Sequence, residues 1–225
     1  TNSYVSDDYF VMLTEDDDQS PNGYLDCGVG RIPAADAAEA VGSLNKIKSY
    51  LSQNTTSETG DNCISANSQN PFGPWRNMIT FVADDQDGSG GAYEQVHLSS
   101  CDSLAKIVQV QHPEFDISKI YLDAYTQQST PGGERYPEVE DAIKNRINTG
   151  TLLMTYVGHG GERGWAHERV LDIPTIQSLN NLNKLPVFLT ATCELARFDD
   201  PTYKSAGELL VMNPNGGVIA MLTTT

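Results

Sequence analysis

The sequence predicts an α/β fold with a mostly parallel central sheet and helices on both of its faces. Short apolar runs alternate with helical patterns along the chain, which is typical of strands joined by crossover helices. The runs are almost continuously hydrophobic, as are strands that are covered on both faces. The chain has 225 residues, of which 39% are hydrophobic and 20% charged, and it can form one large domain of this class or two small ones.

Six apolar runs of five or six residues are the predicted strands. They are Tyr9–Leu13, Met78–Ala83, Ile120–Ala124, Leu152–Val157, Val187–Ala191 and Val218–Leu222. Helical patterns lie between them over Ala34–Leu51, Pro137–Asn148 and Asp172–Asn183. The second of these begins with proline in its first turn, carries acidic residues near its positive end and stops before Gly150.

The first helical pattern predicts an amphipathic helix, and the segment after it predicts a loop. The helix places on one stripe Ala37, Val41, Leu44, Ile47, Lys48 and Leu51. The segment Ser52–Trp75 is rich in Asn, Ser, Gly, Thr and Pro, which predicts a long surface loop. The chain ends on an apolar run and begins with neither a signal peptide nor Met, so we expect a fragment of a longer protein.

The net charge of the chain limits the classes of partner that it can bind. The formal net charge of −16 repels phosphate backbones and disfavours nucleic-acid binding. Acidic residues cluster at Glu15–Asp18 and at Asp84–Asp87, where they are either solvated loops or ligands for a hard cation such as Ca²⁺. Neither cluster is an EF-hand, because the twelfth residue counted from Asp85 is Val96.

The four cysteines, Cys27, Cys63, Cys101 and Cys193, lie too far apart for a CxxC pair. This spacing excludes a zinc ribbon and a thioredoxin-like redox motif. An even count suits two disulfides, but a reactive thiol at Cys193 would leave one other cysteine unpaired.

His159 and Cys193 each directly follow a predicted strand, in TYVGHGGERGW and in PVFLTATCELARF. One helical pattern separates the two strands, so they form a β-α-β unit and we expect them to be neighbours. The carboxyl ends of both strands then lie at one edge of the sheet, where ligands bind in open α/β folds. The spacing of 34 residues therefore brings an imidazole and a thiol together.

An imidazole beside a thiol favours the nucleophilic thiolate. Backbone N–H groups of Gly158, Gly160 and Gly161 could receive the charge that develops on an attacked carbonyl oxygen. The alternative is a structural turn whose histidine only bonds a neighbouring carbonyl. No metal ligand is assigned, although His159, His167 and Cys193 are a conceivable zinc set.

Motifs of other enzyme classes are absent from the sequence or incomplete. The sequence has no GxSxG nucleophile elbow and no GxxxxGK[ST] phosphate loop. His167 begins a segment like HExxH that lacks the second histidine. We expect His97 and His112 to be surface or helix-packing residues.

TYVGHGGERGW followed by FLTATCELARFDDP resembles the gingipain family of cysteine peptidases, in the caspase-like clan. DCGVGRIPAADAAEA resembles the family's strand-to-helix segment, and GGVIAMLTTT resembles its strand after the cysteine. The resemblance covers nearly all of the chain and implies a caspase-like three-layer sandwich. It implies one catalytic domain over residues 1–225, truncated at both ends, with a low-complexity surface loop at about 52–75.

The resemblance also implies roles for individual residues. His159 matches the family's general base and Cys193 its nucleophile. The acid that orients the histidine falls in VADDQDGSGG, where Asp84 and Asp85 are both candidates. No cofactor is required, and structural Ca²⁺ remains a candidate.

YVGHGGERGWAHERVL, TATCE, RFDDP and SAGELLVMNPNGG resemble in particular the PorU-type sortases of the type IX secretion system, a branch of this family. The family's proteases have small polar residues where this chain has Glu194–Arg197, which disfavours arginine- or lysine-directed digestion. The branch implies a transpeptidase on the extracellular face of a Gram-negative outer membrane.

The partners implied by this branch are cargo proteins that carry a C-terminal secretion signal, and other type IX components. The alternatives are a secreted gingipain-like endopeptidase and a non-catalytic docking module. Leu195, Phe198 and Trp165 either shield a thioester from water or pack in the core.

Overall fold

In the computed structural model, which describes residues 7–13, 25–51, 73–86 and 95–225, a five-stranded parallel sheet forms the centre of the fold. Its strands are β1 (Met78–Ala83), β2 (Asp116–Tyr121), β5 (Leu153–Val157), β9 (Val187–Ala191) and β10 (Ala220–Leu222). They lie in the order β10-β9-β5-β1-β2, and every neighbouring pair is parallel. The predicted α/β class with a mostly parallel sheet is confirmed.

Two smaller antiparallel sheets lie outside the main one. A hairpin with an exposed first strand is formed by β3 (Gln128–Thr130) and β4 (Gly133–Arg135). The strands β6 (Gly160–Gly161), β7 (Gly164–Trp165) and β8 (Leu171–Asp172) form the other sheet, directly after β5. This small sheet places a turn at the carboxyl edge of the main sheet.

Helices cover both faces of the main sheet. The helices are α1 (Ala37–Leu51), α2 (Gln95–Gln111), α3 (Pro137–Thr149), α4 (Ile173–Gln177) and α5 (Ala206–Met212). Cys101 and Ala105 of α2 are buried with β1 side chains on one face, and the α3 and α5 side chains are buried on the other. The fold therefore has three layers.

The helix α3 forms as predicted. Its apolar positions Val139, Ile143 and Ile147 are fully buried against the sheet, and the helix ends at Thr149, before Gly150. The predicted strands at β1, β5 and β9 agree with the structure within one residue, and the last predicted strand is shortened to Ala220–Leu222.

Two predicted strands are wrong in whole or in part. The range Tyr9–Leu13 overlaps a 3-10 helix, Asp8–Val11, and pairs with none of the described strands. Tyr9 is 81% exposed there. The strand predicted at Ile120–Ala124 begins earlier, at Asp116, and turns into a 3-10 helix at Leu122. As an edge strand, β2 tolerates charged residues, so its first part lacks the apolar pattern by which strands are predicted.

The stripe predicted for α1 is also wrong. Val41, Leu44 and Leu51 are exposed, whereas Ser43 and Lys46 are buried. The helix contacts α5, and the Lys46 ammonium donates to the carbonyls of Val211, in the last turn of α5, and of Gly216, after α5. The inward face of α1 is therefore polar.

The helical pattern Asp172–Asn183 forms a helix only as far as Gln177. Asn181 lies beyond this end, where its side chain bonds the Gly217 backbone. In the segment predicted as a surface loop, Trp75 is instead buried in a 3-10 helix, Pro74–Asn77.

The rest of that loop, Cys63 and the acidic cluster Glu15–Asp18 lie outside the described residues. Among the helices that the structure describes, none is long and apolar enough to cross a membrane.

Candidate active site

The site begins with the pairing of β5 and β9. The two strands are adjacent and parallel, and their last register pair is Val157 with Ala191. His159 and Cys193 each follow two residues after this pair. The two strands are therefore adjacent, as predicted. The segments that carry His159 and Cys193 begin at the same position along the strand direction.

The turn after β5 contacts the segment before Cys193. A Cβ atom on Gly160 would lie 2.3 Å from the Thr192 hydroxyl, so only glycine fits against the residue that precedes the cysteine. Gly158 donates its N–H to the Ala191 carbonyl at 3.2 Å, which continues the pairing one residue beyond β5. The histidine and cysteine segments are thus packed together.

The main chain of His159 is held by three hydrogen bonds. Its N–H donates to Asp84 Oδ2 at 2.7 Å. Its carbonyl accepts from the Tyr156 hydroxyl at 2.6 Å and from the Ala166 N–H at 2.9 Å. Hydrogen bonds therefore hold both the backbone N–H and the backbone carbonyl of His159.

Asp84 lies directly after β1, and Gly158 allows its close approach. A Cβ on Gly158 would lie 2.3 Å from the Asp84 Cβ. The Asp84 carboxyl is 2% exposed, and burial, together with the charges of Asp85 and Glu168, raises its pKa to about 7. The hydrogen bond from the His159 N–H opposes this shift.

The His159 ring lies beside two other imidazoles. His97, in the first turn of α2, meets it edge to face with ring centroids 5.1 Å apart. His167 stacks on it at 5.0 Å. His97, expected to be a surface or helix-packing residue, is half-buried in α2, and it contacts His159 because α2 starts beside the end of β5. His112 is exposed, as expected.

Between the two aspartates, the structure favours Asp84 as the partner of the histidine. One carboxylate oxygen of Asp84 and one ring nitrogen each of His97 and His159 lie within 4.8 Å of one another. Asp85 instead accepts from the Tyr136 hydroxyl at 3.0 Å and from Gln127 at 3.5 Å. Asp85 is therefore tied to the segment before α3.

Asp84, Asp85 and Glu168 form a second group with oxygens within 4.8 Å of one another. All three are buried, so at these two aspartates the expectation of a solvated acidic loop is wrong. The group offers three carboxylates where Ca²⁺ takes six to eight oxygens, and Asp85 already accepts two hydrogen bonds. Calcium sites also take backbone carbonyls and water as ligands, and Asp87 of the acidic cluster lies outside the described residues, so structural Ca²⁺ stays a prediction.

The zinc set that the sequence suggested, in contrast, is not assembled. His159, His167 and Cys193 are all described, and their ligand atoms do not form a group within 4.8 Å. Cys193 is exposed and has a free thiol, as has Cys27, whereas the free thiol of Cys101 is buried.

The N–H groups of the three glycines expected to receive an oxyanion differ in their surroundings. The Gly158 N–H is bonded within the sheet, so the expectation fails for this residue. Bonded and non-bonded pairs alternate in an antiparallel ladder, and Ala166 bonds His159. Gly160 and Trp165 are therefore a non-bonded pair, and the Gly160 N–H is directed away from β7.

A cleft of about 410 Å³ opens beside the turn. The only non-glycine residues with positive φ in the described part of the chain are Ala166, Arg169 and Glu194, and all three line this cleft. Such backbone strain concentrates at functional sites. Glu194 directly follows Cys193, so the cleft reaches the residue next to the cysteine.

The model of peptidase family C25 matches residues 1–225. This chain belongs to peptidase family C25. Members of the family are cysteine peptidases, so the predicted gingipain family is confirmed. No curated protein sequence is significantly similar to the chain.

The fold of this C25 chain is similar to solved gingipain structures. The crystal structure of the Arg-specific cysteine proteinase gingipain R (RgpB) is 18% identical, with a TM-score of 0.65 over 96% of this chain and 43% of that one. The complex of the Porphyromonas gingivalis RgpB pro- and mature domains is 17% identical, with a TM-score of 0.66 over 97% of this chain and 44% of that one. The chain spans less than half the length of these proteins.

In this C25 chain the three apolar residues close in sequence to His159 and Cys193 divide between core and surface. Trp165 and Leu195 are fully buried and pack in the core. Phe198 is partly exposed and stacks under the Arg31 guanidinium at 4.4 Å. Trp165 also stacks on Tyr156, with ring centroids 4.4 Å apart, and so supports the tyrosine that bonds His159.

Proposed function

We propose that the protein is a cysteine acyl-transfer enzyme in which Cys193 is the nucleophile and His159 the general base. The observation that carries the proposal is the β5–β9 register, since both residues follow the last paired residues by the same distance. Asp84 is the positioning residue, because it holds the His159 backbone and lies beside its ring. The Gly160 N–H supports an oxyanion hole at the same turn.

The reaction begins with transfer of the Cys193 thiol proton to His159. The thiolate attacks the carbonyl carbon of the scissile peptide bond, and the oxyanion accepts a hydrogen bond from Gly160. Collapse of this intermediate breaks the C–N bond, and the leaving amine takes the proton from His159. The acyl group is left on Cys193 as a thioester.

We further propose that an amine resolves the thioester, which makes the protein a sortase. The acyl donor would be a type IX cargo protein cleaved before its C-terminal secretion signal, and the acceptor a surface glycolipid on the outer membrane. The support is the resemblance of TATCE and RFDDP to the sortase branch. Glu194 and Arg197 differ from the small residues of the family's proteases, and Arg197 is paired with Glu162 and Asp199.

Hydrolysis by water is the second candidate. The family match to peptidases and the structural likeness to an Arg-specific cysteine proteinase favour it. The thioester is common to both candidates, so the resolving nucleophile decides between them.

The deciding experiment incubates the full-length protein with a secretion-signal peptide as donor and an amine acceptor at rising concentration, with mass spectrometry of the products. A sortase yields an increasing fraction of aminolysis product, and the Cys193→Ala variant yields none. Hydrolysed product alone at every acceptor concentration would identify an endopeptidase. No cleavage and no acyl-enzyme would leave the fold as a docking module.

A further inference from the structure

We propose that Asp84, His97 and His159 together bind a divalent transition-metal ion of the zinc class. The three residues come from separate elements: the end of β1, the first turn of α2 and the segment after β5. One ligand atom of each lies within 4.8 Å of those of the other two. The fold thus brings two imidazoles and a carboxylate to one point.

The donor set suits zinc rather than calcium. Zinc takes imidazole nitrogen and carboxylate oxygen at about 2.0–2.2 Å, and catalytic zinc sites have three protein ligands with a fourth position open. Ligand atoms of a tetrahedral site at such distances are roughly 3.4 Å apart. Side-chain shifts of about 1 Å would close the present arrangement around an ion.

The carboxylate is prepared to act as a ligand. Asp84 is 2% exposed, and its Oδ2 is positioned by the His159 N–H. Its Oδ1 is buried and has no hydrogen-bond partner among the described residues. Such an oxygen is costly to bury, and coordination would satisfy it.

The functional consequence rests on the proposed function. An ion on a ring nitrogen of His159 competes with proton transfer from Cys193. Metal binding is therefore inhibitory, and a chelator restores activity. The site would make the enzyme sensitive to free zinc.

The test uses Co²⁺ as a spectroscopic probe on the metal-free full-length protein, followed by displacement with Zn²⁺. We expect one Co²⁺ per chain with the visible absorption of a four-coordinate site. His97→Gln should weaken Zn²⁺ affinity by about tenfold or more, since even changes around metal ligands typically cost 10–100-fold. His112→Gln removes an exposed histidine beside Glu114 and should leave affinity unchanged.

Unchanged affinity in His97→Gln would overturn the proposal, as would binding that is lost in Cys193→Ala while His97 is intact. Circular dichroism and the thermal midpoint check that each variant is folded. If His97→Gln does not fold, Asp84→Asn supplies the same test. The Co²⁺ titration needs no turnover, so absence of peptide cleavage would refute the proposed function without touching the metal site. Inhibition by Zn²⁺ is compared with the metal-free rate of each variant.

Discussion

At the scale of single residues, Cys193 and Cys101 show how position decides the chemistry of a thiol. Cys193 is exposed at the carboxyl edge of the sheet. Cys101 is fully buried between α2, to which it belongs, and β1. Its thiol donates to the Val82 carbonyl at 3.3 Å, and burial raises its pKa to about 12. Reactivity therefore follows from the surroundings of each sulfur atom.

Iodoacetamide should label Cys193 fastest and Cys101 slowest, with Cys27 as the exposed control that has no histidine of the dyad beside it. His159→Ala should slow labelling of Cys193 to about the rate of Cys27. Peptide mapping by mass spectrometry after timed quenching measures each rate in the folded full-length protein. Equal rates for Cys193 and Cys27 in the wild type would contradict the dyad.

Asp84 and Asp85 are adjacent but act on different partners. Asp84→Asn keeps an acceptor for the His159 N–H and removes the charge beside the imidazole, so kcat should fall by about tenfold or more with KM little changed. Its pH–rate profile should also shift, which a purely structural role would not cause. Asp85→Asn is the matched variant and should act mainly on stability, since Asp85 bonds Tyr136. Equal losses of kcat would contradict the assignment.

At the scale of elements, the turn between β5 and β6 joins the histidine to the cysteine through close packing. The approach of Gly160 to Thr192 leaves no room for a side chain, whereas a Cβ on Gly161 meets nothing within 4 Å. Thr192 is buried and β-branched, which limits how far its hydroxyl can rotate away.

Gly160→Ala should therefore displace Thr192 and with it Cys193, lowering kcat by about tenfold or more. Gly161→Ala serves as the matched control and should stay close to the wild type. Steady-state kinetics with a peptide donor measure the effect, with thermal midpoints to confirm folding. If both alanine variants keep wild-type kcat, the packing of the two segments does not position the thiol.

The adjacency of these segments was predictable because it follows from a local rule, the right-handed crossover between parallel strands. His97 was not predictable, because α2 was not recognised and its contact with His159 spans much of the chain. The buried face of α1 was misassigned because hydrophobicity does not reveal a lysine that bonds buried carbonyls. Glu168 was noticed only as part of an incomplete zinc motif, whereas its burial beside Asp84 depends on tertiary packing.

At the scale of the whole molecule, Lys46 links α1 to the C-terminal part of the chain. Its ammonium donates to the carbonyls of Val211 and Gly216, each at 2.8 Å, in a protein with a net charge of −16. Burial lowers the pKa of Lys46 to about 8 from the model-compound value of 10.5. Between these values the unfolded state binds more protons, so this group makes stability rise with pH.

Replacing the ionisable group should remove this pH dependence. The free energy of unfolding of Lys46→Met relative to the wild type should fall by about 2 kcal/mol between pH 7 and pH 10, because only the wild type benefits from losing a buried charge. Lys48→Met, on the exposed side of the same helix, should show a nearly constant difference. Urea unfolding at several pH values measures both. A constant difference for Lys46→Met would contradict the burial of a charged ammonium.

The stack of Trp165 on Tyr156 gives the protein an intrinsic optical reporter. The chain has two tryptophans, and Trp165 is fully buried, with its partner tyrosine bonded to the carbonyl of His159. Indole emission depends on local polarity and on nearby quenchers. With Trp75→Phe as the background, a movement of the histidine turn should change the emission of a single fluorophore, and the turn could be followed in real time without any attached label.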